Sequence, residues 1–212
     1  MGREAVIRDY GGVSAQERRD MRRRRLIDAG RTLWGNEGLN AVSVRGVCTA
    51  AGLTHRYFYE HFSGREELLV AVAGQVREEL VQMMLDQSTA TGGSVDQRFR
   101  AALTMYLHAF CEDPQFHRIM TTDKTGIAGL ETWEHETLDL IADSMVKFGA
   151  EVPGVEIPGD SESRRRARFV VGGVNRLIAG WLVEQDTTAA ELAQACTDYC
   201  MALVRVPAPP ER

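Results

Sequence analysis

The sequence predicts an all-α protein of about nine helices in two domains. Apolar residues recur at helical spacing through most of the chain, and Ser, Thr, Gly and Pro stand where these periodic segments begin and end. No alternating segments are joined by a hairpin dipeptide, and no internal repeat is found. With 212 residues, of which 44% are hydrophobic and 26% charged, the chain has an ordinary globular composition. This composition excludes collagen-like and wholly disordered proteins.

Capping residues, glycines and prolines delimit the predicted helices. A Ser or Thr side chain can accept the first amide hydrogen bonds of a helix, whereas Gly and Pro commonly end one. Ser43 and Thr54 are N-cap candidates, and the spacing of Ser63 and Glu66 predicts a capping box. These signals predict helices over residues 16–37, 44–50, 55–61, 64–87, 95–112, 114–120, 127–148 (or 130–148), 161–185 and, after Thr187 or Thr188, a last helix to about residue 204, with loops at 89–94, 121–126 and 151–160.

Charge is distributed unevenly along the chain. Residues 1–70 contain twelve arginines and nine acidic residues, a net charge of +3, whereas residues 71–212 carry a net charge of −8. Between residues 18 and 56, nine arginines stand against three acidic residues. A basic N-terminal block on an acidic body is typical of a nucleic-acid reader carried by another domain, although charge runs also occur as solvated helix faces.

Residues 43–62 carry the strongest functional signal. Two short capped helices joined by Ala51-Gly52-Leu53 have the dimensions of a helix-turn-helix, and Gly52 permits the turn between them. The second short helix presents polar and aromatic side chains outward, and arginine can read guanine bidentately in the major groove. The residues expected to form the small core below it are Val44, Val47, Leu53, Phe58 and Phe62.

An aromatic and acidic run follows the turn. It consists of Phe58-Tyr59-Glu60-His61-Phe62 and Arg65-Glu66-Glu67-Leu68, and it is preceded by Leu33-Trp34, Gly38, Ser43-Val44, Val47 and Ala51-Gly52-Leu53-Thr54. In these residues the segment from about 20 to 72 resembles the TetR family of bacterial transcriptional repressors. The remaining two thirds of the chain match that family only in helical layout.

The resemblance implies a domain organisation and a set of DNA contacts. It implies a flexible arm at 1–15, a helix-turn-helix domain at 16–66, a ligand-binding and dimerisation domain at 67–205 and a disordered tail at 206–212. Arg45 and Arg56 would reach base edges, His55 and Tyr57 could face bases, and the others would hold the phosphate backbone. The full set of implied DNA-binding residues is Ser43, Arg45, Thr54, His55, Arg56, Tyr57, Tyr59, His61 and Arg65.

The acidic body is predicted to bind a small hydrophobic or amphipathic effector. Methionines adapt to irregular cavities, and aromatic side chains with a few polar groups line ordinary ligand pockets, although each such residue is more often core. Four carboxylates, those of Glu131, Glu134, Glu136 and Asp139, would favour a cationic ligand if one of them faced inward. The candidate effector-binding residues are Met83, Met105, His108, Phe116, Met120, Trp133 and Asn175.

The last two predicted helices are rich in small residues, which allow helix axes to approach closely. The resemblance implies that both helices pair with those of a second copy in a four-helix bundle, so that two recognition helices meet two half-sites. The candidate residues of this homodimer interface are Gly172, Gly173, Gly180, Ala189, Ala193 and Cys196.

The sequence therefore predicts a ligand-responsive regulator, a repressor that binds a palindromic double-stranded DNA operator as a homodimer. No cofactor is predicted, and no metal, because His108, Cys111 and His117 have a generic spacing and zinc needs three or four ligands. One alternative is a DNA-binding protein without an effector, either architectural or partnered by another protein. The other is a small helical enzyme, for which no catalytic motif is found.

The chain is expected to be cytoplasmic and to have no membrane partner. Its most apolar run, residues 169–183, is interrupted by Asn175 and Arg176 and is shorter than the ~20 residues that a membrane span needs. The N-terminus lacks the apolar segment of a secretory signal. Four scattered cysteines in a chain of this size do not form a disulfide pattern.

Overall fold

A computed structural model describes residues 14–150 and 161–204, and these residues are helical, with turns but no strand. The all-α prediction is confirmed. The predicted N-terminal arm up to residue 13, the loop at 151–160 and the tail at 206–212 lie outside the described residues. The helices are α1 (Ala15–Glu37), α2 (Val44–Ala51), α3 (His55–Tyr59), α4 (Arg65–Thr91), α5 (Val95–Glu112), α6 (Pro114–Thr121), α7 (Ala128–Ala150), α8 (Ser161–Glu184) and α9 (Ala189–Val204), with a short 3-10 turn at Leu39–Ala41.

Helix α1 begins with a capping box that the sequence analysis did not identify. The Ser14 hydroxyl accepts a hydrogen bond from the Glu17 amide at 3.1 Å, and the Ser14 amide donates to the Glu17 carboxylate at 2.6 Å. Two otherwise unpaired amides at the helix start are thereby satisfied. The helix starts at Ala15 for this reason, one residue before the predicted position.

Helix α4 differs from its prediction at both ends. The carboxylate that reaches back to Ser63 belongs to Glu67 rather than Glu66, and it accepts from the Ser63 amide at 2.6 Å and from its hydroxyl at 2.8 Å. At the other end the helix continues to Thr91, because Gly92 and Gly93, with φ of +62° and +74°, are the first residues that turn the chain away from it.

Contacts divide the chain into two compact units, which are named here the head unit and the body unit. The head unit comprises Met1–Gly74 and Pro114–Leu130, and therefore α1 to α3, the start of α4, and α6. The body unit comprises Gln75–Asp113 and Glu131–Arg212, and therefore the rest of α4 together with α5, α7, α8 and α9.

Helix α6 packs on α1 inside the head unit, although the sequence analysis assigned it to a domain over 67–205. The Trp34 indole donates to the Thr122 hydroxyl at 3.1 Å, and the Gln115 amide donates to the Asn36 side-chain oxygen at 3.0 Å. Gly35 lets the two helices meet, since an added Cβ there would lie 2.5 Å from the Cβ of Gln115.

The core of the body unit lies between α5 and α9 and between α7 and α8. Leu107 of α5 and both Ala193 and Cys196 of α9 are completely buried. A second cluster joins Ala142 of α7 to Val171 of α8. Burial of these apolar surfaces, at about 25 cal/mol per Å², is the main force that holds the unit together.

No helix of the described residues combines the length and apolar character that crossing a membrane requires.

Candidate DNA-binding interface and body cavity

Helices α2 and α3 form a compact helix-turn-helix in the head unit. The Ser43 hydroxyl accepts from the Gly46 amide at 3.1 Å and starts α2, as predicted. Gly52 ends α2 in the left-handed region with φ of +62°, where a side chain would be strained, and the Leu53 amide closes the turn on the Cys48 carbonyl at 2.9 Å. Thr54 precedes α3, but its side chain makes no capping hydrogen bond.

Helix α3 exposes four of the predicted DNA-binding side chains, which are called the reading face here. The single buried side chain of the helix is Phe58, which is completely covered, so the rest of its surface points outward. The Arg56 side chain is 86% exposed, with its Nε 3.4 Å from the Glu60 carboxylate. The members of the reading face are His55, Arg56, Tyr57 and Tyr59.

Three further predicted contacts, Ser43, Arg45 and Thr54, are exposed at the starts of α2 and α3. Helix starts and hydroxyl groups are common phosphate ligands in protein–DNA interfaces. These residues are therefore accessible for the roles that the resemblance implies, and the contacts themselves stay predictions.

The Arg65 guanidinium forms hydrogen bonds within the protein. Its Nε donates to the Val42 carbonyl at 2.6 Å, and its Nη2 donates to the Leu39 carbonyl at 2.7 Å. Two of the three guanidinium nitrogens thus clamp the 3-10 turn to the start of α4, which leaves Nη1 for the predicted phosphate contact. The position of Arg65 indicates a structural role that its place in the motif did not reveal.

His61 is half-buried beside a group of arginines. Its Nε2 is shielded from solvent and has no protein hydrogen-bond partner among the described residues. Burial of the ring and the positive charges of Arg19 and Arg22 lower the pKa of His61, against the opposing charge of Glu60. The neutral ring can donate one hydrogen bond, so any phosphate contact would be made without a positive charge on His61.

Three arginines of α1, Arg19, Arg22 and Arg25, support the helix-turn-helix. Arg19 donates to the Glu60 carbonyl at 3.2 Å, and Arg25 donates to the Ala51 carbonyl at the turn. Arg22 lies with its guanidinium carbon 4.7 Å from the centroid of the Tyr57 ring. Their spacing of three residues along α1, which places them on one helix face, is the sequence signal for this role.

The head unit matches a known family model. Residues 26–72 match the model described as "Bacterial regulatory proteins, tetR family". This range covers the helix-turn-helix and Arg65, and it begins just after the three supporting arginines of α1. Residues 26–72 therefore belong to the tetR family. Proteins of this family are helix-turn-helix transcription regulators that bind DNA and are not enzymes.

Solved structures extend the likeness over most of the TetR-family chain. The fatty acid degradation regulator FadR from Bacillus halodurans is 14% identical, with a TM-score of 0.61, and the match covers 91% of this chain and 96% of that chain. The multidrug binding protein EbrR, solved with imidazole, is 18% identical at a TM-score of 0.67, with coverages of 88% and 97%. SmeT of Stenotrophomonas maltophilia, the repressor of a multidrug efflux pump, is 19% identical at 0.61, with 89% and 96%. At these identities the likeness shows a shared fold.

The body unit of the regulator contains a cavity of about 560 Å³ between the C-terminal part of α4 and α5. Met105 and His108 of the predicted effector set lie in its wall, and His108 Nδ1 is 3.8 Å from the Glu112 carboxylate. The volume is in the range of small-molecule sites. The lining residues are Gln87, Thr91, Gln97, Arg100, Ala101, Thr104, Met105, His108 and Glu112.

Of the seven predicted effector residues, Met105 and His108 line the body cavity and the other five do not. Phe116 and Met120 belong to α6 in the head unit, where Phe116 is core. Met83 and Asn175 are exposed on α4 and α8, and Trp133 is buried in α7. The physical reason is that apolar residues at helical spacing form the face by which a helix packs on its neighbours. An aromatic or Met residue in such a pattern is therefore more often part of the core than of a cavity wall.

Two of the six predicted interface residues are also placed elsewhere. Ala193 and Cys196 are completely buried against the chain's own body, because α9 turns its small apolar face toward α5. Gly172 and Gly173 are exposed, and Gly180 and Ala189 are partly exposed.

The exposed face of the last two helices carries large apolar side chains instead. Phe169 and Val183 of α8 are 69% and 85% exposed, and Tyr199 of α9 is 61% exposed. These residues, with Gly172, Gly173 and Gly180 of α8 and Leu203 of α9, are called the outer stripe here. Such a set of exposed apolar groups is typical of an interaction surface.

No three His, Cys, Asp or Glu side chains in the described part of the chain lie together in a way that could hold a metal ion.

Proposed function

We propose that this TetR-family protein is a homodimeric repressor that acts in the cytoplasm, binds a palindromic operator and is released by a small hydrophobic or amphipathic effector. The observation that carries the proposal is the reading face of α3. Its side chains stand exposed on a helix that is fixed from below by Phe58 and from α1 by arginines. A rigid helix with exposed Arg, His and Tyr has the form that major-groove reading requires.

The outer stripe supports the homodimer. Its α8 members lie three, four, eleven and fourteen residues after Phe169, spacings that place them along one face of the helix, and the glycines among them leave room for a close helix crossing. A single chain would otherwise leave this apolar surface in water. Pairing through a twofold axis repeats the reading face on two half-sites, separated by about one helical turn or ~34–36 Å.

The body cavity supports an effector. Its wall combines amide, hydroxyl and charged groups with Met105 and Ala101, so it offers both polar and apolar contacts to a small molecule. Among the similar structures, EbrR is a multidrug binding protein and SmeT is the repressor of a multidrug efflux pump. Both descriptions favour a small-molecule effector for this chain.

Repression and release follow from linkage. The proposal involves two conformations, one that fits the operator well and one that fits it poorly. An effector lowers operator affinity only if it binds the second conformation more tightly than the first. The operator must then lower effector affinity by the same factor. Equal effector affinity with and without bound operator would contradict the proposed release.

Selection of bound fragments from sheared genomic DNA of the host tests the proposal. The purified protein is used at one fixed salt concentration near ~150 mM, because phosphate contacts make DNA affinity steeply dependent on salt. We expect a few fragments that share an inverted repeat. Recovery of random fragments would indicate that the basic block binds DNA without sequence preference, and it would overturn the operator proposal.

A further inference from the structure

Arg77 of α4 is a half-buried arginine of the body unit whose protein neighbours are neutral. Its guanidinium carbon lies 5.8 Å from the centroid of the Trp133 ring of α7, and its Nη1 donates a long hydrogen bond of 3.4 Å to the Thr137 hydroxyl. Thr137 is itself buried and donates to the Trp133 carbonyl at 2.6 Å, so its oxygen is held with a lone pair toward Arg77. The ring and the hydroxyl therefore orient the guanidinium without neutralising it.

The remaining edge of this guanidinium has no protein partner. Nε of Arg77 is shielded from solvent without a hydrogen-bond acceptor, and Arg77 forms no ion pair with a carboxylate of the described residues. Arginine stays protonated at any physiological pH, and a shielded charge without a counter-charge costs free energy. The hydrogens of Nε and Nη2 that the protein leaves unused can therefore be donated to a partner from outside the chain.

The acidic residues of α7 do not supply that partner. Glu131, Glu134, Glu136 and Asp139 are all exposed, and Asp139 is bound by Arg168 at 2.8 Å. All four carboxylates are exposed to solvent, so none of them neutralises Arg77.

We propose that Arg77 anchors the carboxylate of an amphipathic organic acid, and that this acid is the effector. The Nε and Nη2 hydrogens of a guanidinium form a fork that binds a carboxylate through two parallel hydrogen bonds. The Trp133 ring, which is 4% exposed in the unbound chain, would contact the apolar part of the acid only after side chains of α4 and α7 have moved. This inference rests on the proposed effector response, narrows the effector to an anion, and places its carboxylate at the contact of α4 with α7 instead of in the α4–α5 cavity, whose wall does not include Arg77.

The shielding of Arg77 Nε also explains how binding of the acid could change the conformation of the body unit. A carboxylate reaches this atom only when side chains of α4 and α7 move apart, so binding favours a rearranged body unit. Such a difference in affinity between two conformations is what an effector needs in order to shift an equilibrium.

The first test compares acids with matched neutral amides. Thermal unfolding of the full chain is followed with octanoate against octanamide and with benzoate against benzamide, at equal concentrations and constant salt. We expect the acids to raise the Tm and the amides to leave it unchanged, since a ligand that binds only the folded state stabilises it. Equal shifts for acid and amide, or no shift with either acid, would overturn the proposal.

Variants at Arg77 locate the site. Arg77→Met is expected to weaken carboxylate binding at least tenfold. Arg77→Lys keeps the charge but lacks the fork, so its carboxylate affinity is expected to lie between those of the wild type and Arg77→Met. Arg98→Met is the matched control, because Arg98 Nε already donates to the Gly93 carbonyl at 3.2 Å. Loss of carboxylate binding in Arg100→Met but not in Arg77→Met would place the site in the α4–α5 cavity and overturn the proposal.

A third readout needs no ligand. Removal of a shielded, unneutralised charge should raise the Tm of Arg77→Met by a few degrees, because binding groups are often kept at the expense of stability. If Arg77 served only to hold α4 against α7, the same substitution would lower the Tm, and that result would overturn the proposal.

Operator binding, measured separately by fluorescence anisotropy, distinguishes this inference from the proposed function. Acids that bind through Arg77 and release the operator support both. Acids that bind through Arg77 but leave operator affinity unchanged support the carboxylate site and overturn the effector role assigned to it.

Discussion

At the scale of single residues, the arginines of this regulator differ in what their guanidinium groups contact. Arg56 projects from α3 into solvent, Arg65 lies on two backbone carbonyls, and Arg77 lies over an indole ring. Only the first is free to meet a base edge, whereas the second holds the protein's own backbone. The same residue type therefore gives different expected results on substitution.

Arg56→Ala should alter sequence preference without altering stability. Its side chain is 86% exposed and its one close partner is an exposed carboxylate, so the fold loses little. We expect a loss of about 1–3 kcal/mol in operator binding, confined to one base position of each half-site. Binding to a panel of operator variants measures this. Arg24→Ala, which removes an equal charge from exposed α1, should weaken all sequences alike, and equal behaviour of the two variants would contradict a reading role for Arg56.

Arg65→Ala should destabilise the head unit. It removes two charge-assisted hydrogen bonds to the Leu39 and Val42 carbonyls. We expect a loss of about 2–3 kcal/mol in the free energy of unfolding and a Tm lower by several degrees, measured by circular dichroism. Arg45→Ala, on an exposed side chain, is the control and should leave the Tm unchanged. An unchanged Tm in Arg65→Ala would show that the clamp contributes little and that the residue is available to DNA.

His61 should make the stability of the head unit depend on pH. Burial and the charges of Arg19, Arg22 and Arg23 hold its folded pKa below the ordinary value, so the unfolded chain takes up the proton first. The free energy of unfolding should therefore fall as the pH drops from about 6.5 toward the folded pKa. Urea unfolding at pH 7.5, 6.5 and 5.5 measures this, and His61→Gln should flatten the dependence. A constant difference between wild type and variant across this range would contradict the shift.

At the scale of elements, the approach of α6 to α1 depends on Gly35. A Cβ at this position would lie 2.5 Å from the Cβ of Gln115 and 3.0 Å from its backbone Cα, so α6 would have to move. Gly35→Ala should lower the Tm by several degrees, although alanine favours helix. Gly74→Ala in α4 is the matched control: no heavy atom lies within 4 Å of its added Cβ, and the better propensity should stabilise the helix by about 1 kcal/mol. Opposite Tm shifts of the two variants are expected, and shifts of the same sign would contradict the close approach.

The elements could be predicted from sequence wherever a local signal ends them. Ser43 and Gly52 delimit α2 because a hydroxyl cap and a left-handed glycine act on their immediate neighbours. The start of α4 was less certain, since Glu66 and Glu67 can both reach Ser63 and only the helix geometry selects Glu67. The placement of α6 on α1 had no sequence signal, because it depends on contacts between residues that are far apart in the chain, such as Trp34 and Thr122, which are 88 positions apart.

At the scale of the whole molecule, the DNA-binding role could be predicted and the effector chemistry could not. The motif and the charge asymmetry are properties of sequence, and the family match confirms what they predicted. Most of the predicted effector residues do not line the cavity, because helical periodicity does not say which neighbouring element a helix face contacts; Trp133, for example, is buried in the core. Arg77 was overlooked for the same reason, since its lack of a carboxylate partner is visible only in three dimensions.

The proposed homodimer depends on the surface that a single chain leaves exposed, which is the outer stripe. Phe169 and Val183 lie on the outer stripe of α8, whereas Ala193 and Cys196, favoured by the sequence, are already used inside the chain. Charge placed on this stripe should separate the two copies, since a carboxylate buried at an apolar interface without a partner is costly.

Phe169→Glu is therefore expected to convert a dimer into a monomer, as measured by light scattering coupled to size-exclusion chromatography. The substitution should cost the fold of the single chain little, because the Phe169 side chain is 69% exposed there. Any larger fall in the Tm should come from the loss of the dimer. Operator affinity should fall steeply as well, since a monomer reaches one half-site. Met21→Glu, which changes another exposed apolar residue, on α1, should keep the mass of the wild type. A dimeric Phe169→Glu would mean that the two copies meet through another surface, and the twofold geometry proposed for the reading faces would then have to be redrawn around that surface.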